Sequence, residues 1–282
     1  MSERNFAVIG HPIGHTMSPF IHKRLFELSG CKGIYNVIDV APEEFPARIS
    51  ELDELCGYNV TIPDKQAIIP FLDKLDRKAA LYGSVNTVRN GDVREGFTTD
   101  PDGFLKALAA ANIPFEGKVT IIGCGGVART FVYEAALAGC DITIAVRPED
   151  VSVRDALALE VKEKIPGSSV NVCTIPQIEK NSISTDLLVN ATPVGMYPKI
   201  DFMPVSEKTI DQSKYVFDAV YNPLETKLVQ TARANGKRAV GGMAMLVWQA
   251  VVSHEIWDGA EYKNEDIEQL VEDSAKELKK LF

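Results

Sequence analysis

Short apolar runs alternate with amphipathic stretches along nearly the whole chain, the pattern of strands and helices taking turns. Asn5–Gly10 (NFAVIG) reads as a first strand that ends at its glycine. HPIGHTMSP follows as a loop. Ser18-Pro19 then supplies an N-cap and a proline at the first position of a helix reaching to about Ser29. Ile34–Val40 is a second strand and Pro42–Leu52 an amphipathic helix. Gly57–Pro63 (GYNVTIP) is strand-like and breaks at its proline, leaving Lys65 in a helical turn just beyond. Asp73–Leu81 reads as a helix. Ser84–Arg89 and Val93–Thr98 form a hairpin about Asn90-Gly91, a pair that favours a two-residue type I′ turn. Asp100-Pro101 caps a helix running to Ala111.

The sharpest local pattern lies in Val119–Arg147, VTIIGCGGVARTFVYEAALAGCDITIAVR. The β-branched run Val119–Ile122 suits a buried parallel strand. Gly123, Gly125 and Ala128 then fit G-x-G-x-x-A. The first glycine allows a tight turn, the second lets a pyrophosphate approach the backbone, and the alanine lets helix and strand pack closely. Val127–Leu137 is the following helix, whose N-terminal N–H groups would face phosphates, and Asp141–Val146 is the next strand. Between strand and helix the pattern has the context a dinucleotide site requires. The second strand ends at Arg147 with no acid before it, which favours NADP, because a guanidinium pairs with a 2′-phosphate. Glu149 and Asp150 follow at once and would repel a phosphate if they pointed inward.

Beyond this unit the alternation continues. Val170–Thr174, Leu187–Asn190, Tyr215–Asp218 and Arg238–Val240 are strands, and Val153–Ile165 and Thr226–Asn235 are helices. Gly241-Gly242 opens a long helix to Trp257, and Asn264–Leu281 is a final amphipathic helix. The fold class is α/β: an N-terminal α/β domain of residues 1–101, completed by 243–282, plus a Rossmann-type domain of residues 102–242. The active site is expected in the cleft between them.

Composition narrows the partners. A formal charge of −9 over 282 residues argues against nucleic acid or an anionic membrane as the main partner. No apolar run approaches a bilayer span, and the N-terminus goes directly into a strand without a signal-peptide pattern, so the expected location is the cytoplasm. The five cysteines are scattered and never in C-x-x-C spacing, reading as reduced thiols without a disulfide or zinc framework. His11 and His15 are four apart, but Pro12 and Gly14 exclude the helix that would put both on one face. No metal site is expected.

A polar set remains at element ends: Asn59, Thr61, Lys65, Asn86, Thr87 and Asp100. Thr16 and Ser18 join it at a strand's carboxyl end, with simple helix capping as the alternative for Ser18. These stretches together resemble the shikimate dehydrogenase family. The carriers are GHPIGHTMSP at 10–19, GYNVTIPDK at 57–65, GSVNTV at 83–88, TTD at 98–100, GCGGVA at 123–128, NATPVGM at 190–196 and GGMAMLVWQA at 241–250. The resemblance implies reversible reduction of 3-dehydroshikimate to shikimate with a nicotinamide cofactor. It implies Lys65 as catalytic lysine and Asp100 as its paired aspartate. Thr16 and Ser18 would hold the substrate carboxylate. Asn59, Thr61, Asn86, Tyr221 and Gln249 would bind the carboxylate or ring hydroxyls. Gly123, Gly125, Gly126, Val127, Ala128 and Arg147 would hold the dinucleotide, with Asn190, Ala191, Thr192 and Gly242 against its nicotinamide end.

Several positions depart from the family pattern. Thr16 stands for a serine, Asp64 for a phenylalanine, Thr98 for an asparagine, Pro101 for a glycine, and Lys227 for a common proline. Val146 and Pro148 replace the asparagine and threonine that flank the arginine. The leading reading is an NADP-dependent shikimate dehydrogenase. A quinate/shikimate dehydrogenase using NAD is the alternative, and a non-catalytic sensor binding a dinucleotide or shikimate-like ligand is the reading from another class. The sequence leaves oligomeric state open, a homodimer included.

Overall fold

A computed structural model describes residues 4–14, 16–181 and 183–281, so His15 lies outside the described residues. The chain divides into two compact units, Met1–Gly103 with Val247–Phe282, and Phe104–Leu246.

The first unit carries a mixed sheet in the order β2-β1-β3-β5-β6-β4. Its strands are β1 (Arg4–Gly10), β2 (Gly33–Asp39), β3 (Gly57–Val60), β4 (Lys74–Leu75), β5 (Thr87–Arg89) and β6 (Glu95–Phe97). β1 lies parallel to both β2 and β3, while β5 runs antiparallel to β3 and β6. The helices are α1 (Ser18–Ser29), α2 (Phe45–Arg48), α3 (Arg77–Tyr82) and the start of α4 (Asp100–Ala110). Ala7, Ile9, Tyr58, Val60, Val85 and Val88 form the centre of a core closed by Phe45, Ile49 and Leu52. Apolar side chains on central strands are drawn there because burial is the dominant gain in folding.

The second unit continues with β7 (Lys118–Ile122), α5 (Gly126–Leu137), β8 (Asp141–Val146), α6 (Val151–Lys164), β9 (Ser169–Thr174), α7 (Ile175–Asn181), β10 (Thr185–Asn190), α8 (Glu207–Asp211), β11 (Ser213–Asp218), α9 (Lys227–Ala234) and β12 (Arg238–Val240). All its strands are parallel, in the order β12-β11-β10-β7-β8-β9. The order reverses between β7 and β10, and in such a sheet ligands bind outside the carboxyl ends at that switch point. α10 (Met243–Asp258) leads back to the first unit, and α11 (Asn264–Leu281) ends the described chain. Among the described residues no helix is long and apolar enough to cross a membrane.

Three local expectations are corrected. Pro42–Leu52 is not one helix but α2 followed by a 3₁₀ turn over Ile49–Glu54. Phe45, Ile49 and Leu52 still reach the core, so the apolar spacing survives tighter winding. Asp73–Leu81 divides because the Asp76 carboxylate accepts from the Lys78 and Ala79 amides, which starts α3 and frees Lys74–Leu75 to pair with β6. The β5–β6 hairpin exists, yet its connection runs Asn90–Arg94 and neither Asn90 nor Gly91 takes positive φ. The Asn90 amide instead donates to the carbonyls of Leu52 and Leu55, at 2.6 and 2.8 Å.

Candidate active site

In the first unit Thr16, Ser18, Thr61 and Lys65 follow the carboxyl ends of β1 and β3, with Asn59 within β3, Asn86 before β5, Asp100 at the start of α4 and Gln249 in α10. Gly10 ends β1 where a Cβ would fall 2.4 Å from Thr61 Cγ2 and 2.9 Å from the Ile62 carbonyl oxygen, so only glycine lets the two strand ends approach. The Thr61 amide donates to Ile9 at 2.8 Å, and the Val85 amide to the Lys65 carbonyl at 2.8 Å, which ties the lysine's turn to the sheet. Lys65 Nζ donates to Asp100 Oδ2 at 2.5 Å, with the lysine side chain 17% exposed and the aspartate 4%. The aspartate begins α4, so a loop residue and a helix start meet across 35 positions of sequence. Asp64, beside the lysine, is buried; burial pushes its carboxyl up, His11 opposes the shift, and Oδ2 has no hydrogen-bond partner among the described residues.

A polar network continues from this pair. Asn86 accepts the Thr99 amide at 2.8 Å and donates to Thr99 Oγ1 and Gln249 Oε1, at 3.0 and 3.2 Å. The Asn59 amide nitrogen has Thr87 Oγ1 and Ser253 Oγ at 3.0 Å and the Asn86 carbonyl at 3.2 Å, and its oxygen accepts from the Tyr35 hydroxyl at 2.6 Å. Asn59 is thus tied to Tyr35, Thr87, Asn86 and Ser253. Ser18 is not the cap of α1: Met17 occupies that position, and the Ser18 amide donates to Thr16 Oγ1 at 3.2 Å. The Thr16 hydroxyl donates to Ser18 Oγ at 3.1 Å, pairing two hydroxyls at the helix start.

In the second unit the glycine turn follows β7. Gly123 takes φ 110°, and a Cβ there would lie 2.9 Å from Thr192 Cγ2 and 3.1 Å from the Ala191 carbonyl oxygen. Gly125 caps α5 without a side-chain hydrogen bond, and a Cβ on Gly125 or Gly126 would point into open space. Val127 is half-buried and Ala128 fully buried against the sheet. A helix start without a side-chain cap, with open space beside its glycines, fits a pyrophosphate. Asn190 ends β10, where its Oδ1 accepts from the Thr192 amide and hydroxyl at 3.0 and 2.7 Å. Gly242 approaches the backbone so closely that a Cβ would lie 2.2 Å from the Ala219 carbonyl oxygen. Tyr221 is half-buried, and burial pushes its phenol up. Arg147, at the end of β8, is exposed, and its guanidinium is engaged by Asp150 at 2.8 Å and Glu149 at 3.5 Å. The two acids thus fold back onto the arginine.

The expected site groups fall into two sets: Lys65, Asp100, Asn59, Thr61, Asn86, Gln249, Thr16 and Ser18 in the first unit, and Tyr221 with the residues expected at the dinucleotide in the second. Tyr35, Thr99, Ser253 and Asp218 carry hydrogen bonds to these residues, Thr226 bonds Asp218 in turn, and none of the five is in the sequence-based set. Thr99 lies within the TTD motif, and Ser253 is one helical turn past Gln249. For Tyr35 no local signal exists.

Comparison with known proteins follows the same lines. Residues 8–88 match the family model of the shikimate dehydrogenase substrate binding domain. A shikimate dehydrogenase (NADP(+)) from Methanopyrus kandleri is 41% identical over 264 residues, 90% of this chain and 90% of that protein. A crystal structure of a shikimate dehydrogenase in complex with NADP+ aligns with a TM-score of 0.88 at 33% identity, covering 97% of this chain and 96% of that one. Shikimate 5-dehydrogenase from Thermus thermophilus, in complex with NADP(H) and shikimate, gives 0.84 at 30% identity over 96% of this chain and 99% of that one.

Proposed function

The chain belongs to the shikimate dehydrogenase family, and from that premise we propose that it interconverts 3-dehydroshikimate and shikimate with NADP. The observation that carries the reading is the Lys65–Asp100 pair, a largely buried ammonium held by a carboxylate at 2.5 Å beside a hydrogen-bonded polar network. Turning a ketone into an alcohol needs a proton at the oxygen as charge develops there. Lys65 Nζ gives that proton in the reductive direction and takes it back in the oxidative one. Asp100 keeps the amine in place through its accepted hydrogen bond. Thr16 and Ser18 hold the substrate carboxylate with their paired hydroxyls, and Asn86, Gln249, Thr61 and Tyr221 read the ring hydroxyls. Asn59 joins them toward the carboxylate or ring hydroxyls, while its amide nitrogen also holds Thr87 and Ser253. Such groups reject an analogue that lacks a hydroxyl, because a buried polar atom is then left unpaired. The bound dinucleotide supplies the hydride or accepts it. Gly123, Gly125, Gly126, Val127 and Ala128 receive its pyrophosphate, Asn190, Ala191, Thr192 and Gly242 line its nicotinamide end, and Arg147 takes the 2′-phosphate.

Steady-state oxidation of shikimate and of quinate, each with NADP+ and NAD+, tests the reading. Shikimate with NADP+ is expected to have the highest kcat/KM; no turnover with any pair would overturn it.

Use of NAD is the second reading, favoured by Asp150 and Glu149 on Arg147. A 2′-phosphate must displace or share the guanidinium with two carboxylates, whereas a 2′-hydroxyl need not. Asp150→Asn is therefore expected to raise kcat/KM for NADP+ by about fivefold and leave that for NAD+ within about twofold, the modest size reflecting an exposed, screened pair. Equal effects on both cofactors would show that the acids play no part in the choice.

A further inference from the structure

Asp218 ends β11 with no exposed surface, and hydride and proton transfer give it no task. Its carboxylate nevertheless gathers three donors from three separate segments. Oδ1 accepts from Asn190 Nδ2 at 2.9 Å and from the Val220 amide at 3.0 Å. Oδ2 accepts from the Thr226 hydroxyl at 2.6 Å, and Thr226 in turn caps α9 by accepting the Val229 amide at 3.3 Å.

What those donors hold is the surface expected to meet the nicotinamide. Asn190, fixed through its nitrogen, uses its oxygen to fix the Thr192 amide and hydroxyl. Val220, fixed through its amide, accepts from the Gly242 amide at 3.0 Å. One carboxylate thereby sets the ends of β10 and β11 and the approach of Gly242. Burial pushes this carboxyl up to about 6, with hydrogen bonds from Thr226, Val220 and Asn190 opposing the shift. A buried charge is costly unless its partners are fully in place, so an apolar residue would serve stability alone at least as well.

We propose that Asp218 is a positioning residue: it clamps Asn190, Val220 and Thr226 so that Thr192 and Gly242 take the places required for hydride transfer. The inference rests on the reading of this unit as the dinucleotide-binding one, and its test has a readout independent of turnover.

The decisive variants are Asp218→Ala, which leaves three donors without their acceptor, and Asp218→Asn, which keeps an oxygen toward Asn190 and Val220 while the Thr226 hydroxyl turns to accept. In the ligand-free protein, amide hydrogen exchange at Thr192 and Val220 is expected to speed up at least tenfold in Asp218→Ala and to stay near wild type in Asp218→Asn, with β8 unchanged in both. With cofactor, kcat for shikimate oxidation is expected to fall about 100-fold in Asp218→Ala, the scale of a small misplacement. The NADP+ dissociation constant, measured by calorimetry, should move by less than about threefold, since the glycine turn carries the pyrophosphate contacts. If Asp218→Ala does not fold, Thr226→Val against Thr226→Ser reads the same clamp, with a loss in Val of about tenfold in kcat and recovery in Ser.

Unchanged exchange at Thr192 and Val220 in a folded Asp218→Ala protein overturns the proposal, as does a kcat within about threefold of wild type. A wild-type protein that turns over no shikimate but shows the exchange pattern overturns the activity reading and leaves the clamp standing.

Discussion

Replacing Lys65 by alanine is expected to lower kcat for shikimate oxidation about a thousandfold while KM for shikimate moves by less than about fivefold. The asymmetry follows from where the amine acts. A proton donor is needed as charge develops on the reacting oxygen, not when the ground-state ketone or alcohol binds, so its loss falls on turnover. In the proposed site, ground-state affinity is assigned to other groups: the Thr16 and Ser18 hydroxyls, paired with each other, and Asn86, paired with Gln249. Asp100 behaves differently. Its carboxylate is 4% exposed and faces the amine at 2.5 Å. Asp100→Asn is expected to reduce kcat by about a hundredfold, because the ammonium loses its anchor but keeps its chemistry. Removing the amine leaves a buried carboxylate unpaired, so Lys65→Ala should also melt at a lower temperature than Lys65→Gln. Near-normal turnover in Lys65→Ala would remove the lysine from the mechanism.

The parts of this site that were legible in the sequence are those fixed by neighbours along the chain. Gly123, Gly125 and Ala128 announce themselves because a tight turn, an open helix start and a close helix–strand contact each demand a small residue at a fixed step. The strands of the parallel sheet were legible as apolar runs, since both faces are covered. Lys65 and Asp100 are 35 residues apart, and no periodicity links them; only the ordered family motifs did. Asp218 escaped for a related reason. At the end of an apolar strand it reads as a polar terminus, and its worth depends on Asn190, 28 residues earlier, and Thr226, 8 later. The sequence does not tell where the acids after Arg147 point; the helical turn over Pro148–Asp150 folds them onto the guanidinium. Turn chemistry failed where tertiary partners won: Asn90-Gly91 has the composition of a tight hairpin, but the carbonyls of Leu52 in the preceding 3₁₀ segment and Leu55 just after it capture the asparagine amide.

Between pH 6 and 4.5 the ratio of unfolded to folded protein at a fixed urea concentration is expected to rise as pH falls, and this slope should come from two buried histidines. His22 and His254 are buried, with Nδ1 of the first 3.0 Å from Nε2 of the second, and their rings lie among Phe26, Tyr35 and Trp257. Burial, reinforced by the neighbouring His254, holds His22 well below the usual imidazole range. Burial and the Arg4 guanidinium push His254 down to about 3. Depressed values mean that the unfolded chain takes up protons below about 6.5 while the native state does not, so stability is full above that pH and is lost as pH falls. A histidine whose native value lies below this window contributes up to about a tenfold change in that ratio per pH unit. Asp218 works the other way. Its carboxyl is raised to about 6, so the native state binds a proton that the unfolded state does not, and stability is regained as pH falls from 6 toward 4. The two histidines outweigh this one carboxyl, so the ratio of unfolded to folded protein still rises as pH falls. At Glu160 burial raises the carboxyl, but hydrogen bonds from Arg129, Lys164 and Tyr133 bring it down to about 2. Its loss is added only below about 4.5, where the unfolded carboxyl protonates. Urea unfolding at pH 7, 6, 5 and 4.5 measures the slope, and His22→Gln/His254→Gln, which can keep an amide–amide hydrogen bond across the same gap, should reverse its sign. Histidine ring resonances that titrate near 6.5 in the native protein at both positions, or a slope unchanged in the double variant, would exclude the pair as its source.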